Sequence, residues 1–277
     1  MTTLDATIPA APFPAPRRRV GGKQSVTNAL TLAWRNLAQL RHSPEKLLDV
    51  TLMPIVFLVL FLYVFGGALA GSTSAYLELL LPGLIAQMAM FATMGLGTAL
   101  CEDITKGVFD RFRSLPIARS APLIGAVLGD TVRFCVVMAV LTGFGSALGF
   151  RFHTGVLSIL AAYGLAYLFY LAVCWVSVLV GLVAPSPETV QGISFIWTMP
   201  LVFGSNVLLS NTRSMPGWLQ AWVNVNPVSH LTASIRALTL GGPVGSHVLY
   251  TLAWAAGIVM VAFPLAMWMY RRRVENQ

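Results

Sequence analysis

Few groups in this chain are able to do chemistry. Only 18 of its 277 residues are Lys or Arg and 10 are Asp or Glu. Many of these stand in one segment, CEDITKGVFDRFRSLPIARSAP at positions 101–122, where Glu102, Asp103, Lys106, Asp110, Arg111 and Arg113 are interleaved with Phe109, Phe112 and Leu115. Covalent catalysis needs a nucleophile with a base in reach, and no Ser, His and Asp grouping in the sequence suggests one. The nearest approach to a phosphate-binding loop, GGKQS at 21–25, fails twice. The pattern requires Gly where Arg17 stands, and Ser or Thr where Gln24 stands. His42, His153, His230 and His247 show no metal-ligand spacing, and Cys101, Cys135 and Cys174 lie within or at the ends of apolar runs, which argues against a disulfide framework. The expectation is no catalytic residue, no metal site and no cofactor held by this chain.

The elements that must carry the charged segment are membrane helices. Hydrophobic residues make up 56% of the chain, charged residues 10%, and the mean hydropathy is +0.74; a soluble domain carries about 25% charge. Runs free of Asp, Glu, Lys and Arg approach or exceed the roughly 20 residues that cross a bilayer. They predict an all-α polytopic membrane protein with six transmembrane helices, at about 48–69, 78–101, 121–149, 155–183, 190–210 and 247–270. A closed barrel is excluded because the runs lack strand alternation. Gly145-Ser146 and Gly204-Ser205, inside such runs, read as helix-packing residues.

Basic residues orient the spans. With both termini in the cytoplasm, seven Lys/Arg precede the first span, four fall in the 102–120 loop and three are Arg271–Arg273. Only Arg151, Arg213 and Arg236 then face outward. The predicted location is the cell membrane, multi-pass, and the net charge of +8 reflects topology and anionic lipid rather than nucleic acid. Residues 1–24 read as a disordered cytoplasmic tail without a signal-peptide core. Residues 25–44 form an amphipathic interfacial helix, and 45–273 form the six-span domain. Between spans five and six, 211–243 predicts one or two short amphipathic helices dipping into the outer leaflet.

On a helical wheel Ile104, Val108, Phe109, Phe112 and Leu115 share an arc, with Lys106, Asp110 and Arg113 opposite. Glu102 and Lys106 form a favourable i, i+4 pair, Gly107 is a tolerated weak point, and Pro116 ends the helix. Such a helix serves either as a lipid anchor or as a knob for a partner's groove. Polar groups inside spans are functional candidates by default. Asp130 and Arg133, three apart, are expected to pair near the cytoplasmic leaflet. Gln87, Met88, Phe91 and Met94 in the second span form one half of a candidate substrate path. Ser194, Thr198, Phe203 and Asn206 in the fifth, which Pro200 is expected to kink, form the other.

The run E-D-x-x-K-G-x-x-D-R-F-R-S-L-P at Glu102–Pro116 resembles the loop after the second span in daunorubicin/doxorubicin-resistance-type permeases of the type-2 ABC exporter family. M-P-G-W-L-Q at Met215–Gln220, Asn226-Pro227-Val228, and Tyr76 with Leu81-Pro82-Gly83 support the resemblance, which spans roughly 25–270. It implies a permease that works with two ATP-binding subunits and a second permease copy or paralogue, in contact with membrane lipids, and exports a hydrophobic or amphipathic small molecule. ATP and Mg would belong to the partner ATPase. It also implies that the loop helix is the coupling helix, so Glu102, Lys106, Phe109, Arg111, Phe112, Arg113 and Leu115 become candidate contacts with the ATPase. An ion-gradient-driven secondary transporter is the alternative, but it calls for mid-membrane acids and repeated broken helices, and Asp130 is the only acid read as buried. An intramembrane hydrolase lacks its nucleophile and base.

Overall fold

The computed structural model describes residues 44–107, 121–208 and 215–275. The disordered tail and interfacial helix expected before Pro44 lie outside these residues. Among the described residues every regular element is an α-helix: α1 (Pro44–Ala70), α2 (Thr73–Thr105), α3 (Ala121–Ala147), α4 (Val156–Val183), α5 (Pro187–Phe203), α6 (Gly217–Val225), α7 (Pro227–Leu240) and α8 (Gly245–Glu275).

Five of these, α1, α2, α3, α4 and α8, are long and apolar enough to cross a membrane. The fifth predicted span, 190–210, folds as α5, whose 17 residues measure about 25 Å, short of a bilayer core of about 30 Å. Its start is conventional: Ser186 Oγ accepts from the Thr189 amide at 3.3 Å and Pro187 occupies the first turn. Pro200 does not interrupt it. The helix stops at Gly204 because the last carbonyls find a partner outside it. Asn226 Nδ2 donates to Leu201 O at 2.8 Å and to Gly204 O at 2.9 Å, satisfying groups that a helix end leaves open.

α2 is the hub. In its most apolar window 72% of residues are buried, against 17% in α8. It packs against α1, α3, α4, α5 and α7. Membrane helices associate through close packing of small residues rather than through apolar burial, and the α2–α4 crossing follows that rule. A side chain at Gly181 would meet Gly97 O at 2.6 Å, and one at Gly97 would meet Ser177 O at 2.8 Å. Ser177 Oγ donates across the crossing to Thr93 O at 2.6 Å. Gly145 likewise receives the end of Leu81.

The segment after α5 departs from its predicted place. α6 carries exposed Trp218 and Trp222 and a buried Val223. α7, expected at a membrane surface, is instead inserted among α2, α4 and α8, with Val228, Leu231 and Ile235 fully or almost fully buried. Part of its polarity is satisfied internally: Ser234 Oγ donates to His230 O at 2.8 Å and Thr239 Oγ1 to Ile235 O at 2.7 Å, while the Ser229 and Thr232 hydroxyls have no partner among the described residues. Arg236 clasps two neighbours, Nε donating to Leu79 O at 3.0 Å and Nη2 to Val207 O at 2.7 Å. Gly83 makes room for that Val207 carbonyl. Arg236→Met removes two charge-assisted bonds, a loss of about 3 kcal/mol. A thermal melt of the purified chain should show a clear drop, and an unchanged midpoint would refute the clasp.

Candidate functional site

A cavity of about 320 Å³ lies between α1, α2, α3 and α5. α1 supplies Met53 and Phe57 at i, i+4 spacing, and α2 supplies Met88, Phe91 and Met94. Val137 comes from α3, and Phe195 and Met199, again i, i+4, come from α5. Phe57 and Phe91 meet with ring centroids 6.1 Å apart, joining α1 to α2 along the wall. Thioethers are polarizable and adapt their shape to apolar guests, so the wall suits ring systems. Its one charged member is Arg133.

Arg133 stands near the middle of α3 (Ala121–Ala147). Its Nη1 is 3.9 Å from Asp130 Oδ1, a loose pair. Asp130 Oδ2 accepts a hydrogen bond from the Tyr170 hydroxyl of α4. Tyr170 is fixed by stacking on Phe134, centroids 4.4 Å apart. The guanidinium lies over Gly95 of α2, where any side chain would overlap Nη1. The carboxylate is thus anchored behind the wall while the cation forms part of it.

The structure divides the candidate path residues. Met88, Phe91 and Met94 line the cavity. Gln87, Ser194 and Thr198 are fully buried. Ser194 and Thr198 share one face of α5 with Val190 and Val202, adjacent to the Phe195–Met199 face. The Gln87 amide and the Ser194 and Thr198 hydroxyls have no hydrogen-bond partner among the described residues. Phe203 is 53% exposed at the end of α5, and Asn206 lies past that end, so the two do not share a helical turn. Met53, Phe57, Phe195 and Met199 are not evident from the sequence pattern used above; their signal was the pairing of Met and Phe four residues apart.

At the far end of α2, Glu102 Oε2 and Lys106 Nζ pair at 2.9 Å, and this hydrogen bond raises the Lys106 pKa above its ordinary value. The pair belongs to the end of α2 rather than to a separate loop helix. Gly107 adopts φ +67°, the left-handed conformation that closes helices, so α2 stops there instead of running on through Gly107. Phe109, Arg111, Phe112, Arg113 and Leu115 lie outside the described residues.

Residues 27–240 match the ABC-2 type transporter family. The chain belongs to that family. The matched segment ends with α7 and holds the whole cavity. This ABC-2 permease is 42% identical to the daunorubicin resistance ABC transporter permease protein DrrB1 of Streptomyces coeruleorubidus, over 90% of this chain and 88% of that one. It is 28% identical to the probable doxorubicin resistance ABC transporter permease protein DrrC of Mycobacterium tuberculosis, over 98% of each. The putative transport permease ycf38 of Cyanophora paradoxa is 24% identical over 77% of this chain and 74% of that one. Membership makes the chain a multi-pass permease subunit of an ABC transporter, which implies an ATP-binding partner.

Proposed function

We propose that this permease exports a hydrophobic or amphipathic compound, a drug or antibiotic or a lipid, out of a bacterial cell, driven by two ATP-binding subunits that hold ATP and Mg. The observation that carries this reading is the Met- and Phe-walled cavity between α1, α2, α3 and α5. It suits a ring-bearing solute and does not suit a small ion. α5 acts as the sixth crossing element, short as it is, with both termini cytoplasmic. Gln87, Ser194 and Thr198, buried beside that wall without a partner among the described residues, are the polar groups this reading assigns to the path, together with Phe203 and Asn206.

A second permease, identical or a paralogue, completes the path. Ile196 of α5 is 74% exposed and Phe195 55% exposed, and α1 shows Leu60 and Val64. These faces are suited to meeting the other half. Glu102 and Lys106 close α2 where the coupling segment begins, and Phe109, Arg111, Phe112, Arg113 and Leu115 follow as its contacts with the ATPase.

Co-expression with the ATPase encoded beside it tests the proposal. The two chains should purify as one complex, and cells carrying both should expel daunorubicin. An ATPase that never co-purifies, with no gain in efflux, would refute it.

A further inference from the structure

α7 and α8 each place one histidine at their contact. His230 stands in the first turn of α7 and His247 in the first turn of α8, and their Nδ1 atoms face each other at 3.2 Å. Neither ring lines the cavity. A second polar contact lies one turn on, where Ser234 Oγ and Thr251 Oγ1 are 3.3 Å apart. Both hydroxyls already donate their single proton within their own helix, Ser234 to His230 O and Thr251 to His247 O, each at 2.8 Å. The imidazole pair is therefore the tie that has a proton to share.

One facing nitrogen must donate and the other accept for that tie to hold. This works when both rings are neutral and when the pair carries one extra proton. It fails when both rings are charged, because every ring nitrogen then bears hydrogen and two cations meet at 3.2 Å. Burial, and then the neighbouring His247 ring, hold the His230 pKa below the ordinary histidine range, while a hydrogen bond to the Asn224 backbone raises it in part. The tie is intact above about pH 6.5 and is lost as the pH falls through the His230 value.

The surroundings do not supply a counter-ion: among the described residues no carboxylate acts on His230. From α8 the Tyr250 ring lies against it, centroids 4.9 Å apart. On α2, Tyr76 donates to Leu208 O and Glu78 pairs with His153 at 3.7 Å. α4 carries only tyrosines and a cysteine, uncharged in acid. α6 has no titratable side chain, and Glu188 stands at the end of α5 remote from α7. Arg236 of α7 itself is held by Leu79 O and Val207 O. The first turn of α8 has little else to fix it. Gly245, Ser246, His247, Leu249 and Tyr250 are exposed, and the turn follows Gly241 and Gly242, at φ +86° and +144°.

We infer that His230 and His247 form an acid-opened latch, in which a shared proton ties the first turn of α8 to α7 at neutral pH and a second proton releases it. On the orientation proposed above, the latch faces the outside of the cell. α7 connects it to the cavity wall, since Asn226 at the α7 cap holds the end of α5.

Hydrogen–deuterium exchange of the full chain in zwitterionic-lipid nanodiscs tests this at the amides of residues 249–252, which bond back across the turn. His247→Asn sets an amide oxygen where Nδ1 stood, so a charged His230 still finds an acceptor. At about pH 7.5 the two chains should exchange alike there. At about pH 5 the unaltered chain should exchange about tenfold faster than the variant. Histidine-labelled NMR is simple in a chain with four histidines, and should show His230 titrating at higher pH in the variant.

Equal exchange of the two chains in acid would overturn the inference, as would a His230 titration that the variant leaves unmoved. If the variant does not fold, the unaltered chain decides: protection at 249–252, corrected for the intrinsic rate, should fall on acidification, and constant protection would overturn the latch. Neither readout involves ATP or solute, so the export reading stands or falls separately.

Discussion

Replacing Phe112 and Arg113 together by alanine is expected to lower ATP-dependent efflux to background while the permease stays in the membrane at its usual level. The effect is large because aromatic and arginine anchors dominate interfaces, each contributing about 2 kcal/mol or more, or roughly thirtyfold in affinity. α2 ends at Gly107, just before the charged segment. On the proposed coupling role, a push received by that segment would reach the cavity through α2, which carries Met88, Phe91 and Met94 on its wall. Efflux per permease molecule, with membrane abundance from the same cells, checks this result. Undiminished efflux would remove residues 109–115 from any coupling role.

Gly181→Leu is expected to abolish the folded permease. A side chain there would meet the backbone oxygen of Gly97 at 2.6 Å. Backbone atoms of a packed helix do not yield as a flexible side chain does, so α2 and α4 would have to separate. Overpacking of about 1–3 kcal/mol is usual even where neighbours adjust. Here the Ser177–Thr93 bond across the same crossing would be lost as well. The measurement is the fraction of monodisperse chain after extraction and size-exclusion chromatography. Gly164→Leu, at a position open on the surface of α4, is the control and should behave as the unaltered chain. Normal recovery of Gly181→Leu would show that the crossing is not tight.

The positions of the helices were largely legible in the sequence because charge-free runs of this length have few alternatives in a bilayer. Each predicted span contains one helix, but helix ends follow partners that composition does not reveal. α5 stops at Phe203 because Asn226, distant in sequence, takes its carbonyls. α7, expected only as a short amphipathic helix at the outer leaflet, carries the polar Ser229, Thr232, Ser234 and Arg236. It is buried because intrahelical bonds and two backbone carbonyls absorb part of that polarity.

The site was legible in part. Hydropathy pointed to polar residues on α5, whereas the cavity wall uses the adjacent Phe195–Met199 face, and only the packing of α5 on α2 distinguishes the two. The Asp130–Arg133 spacing was readable, but the Tyr170 bond that fixes Asp130 behind the wall joins residues 40 apart.

The central claim is that a partner's ATP cycle drives solute through this permease. Inverted membrane vesicles containing both chains test it most directly, by following accumulation of a fluorescent aromatic amphipath with and without ATP. The prediction is accumulation that needs ATP, survives collapse of the ion gradients by ionophores, and disappears when the Walker lysine of the ATPase is replaced. Accumulation that persists with the lysine-replaced partner and vanishes with the ionophores would contradict it.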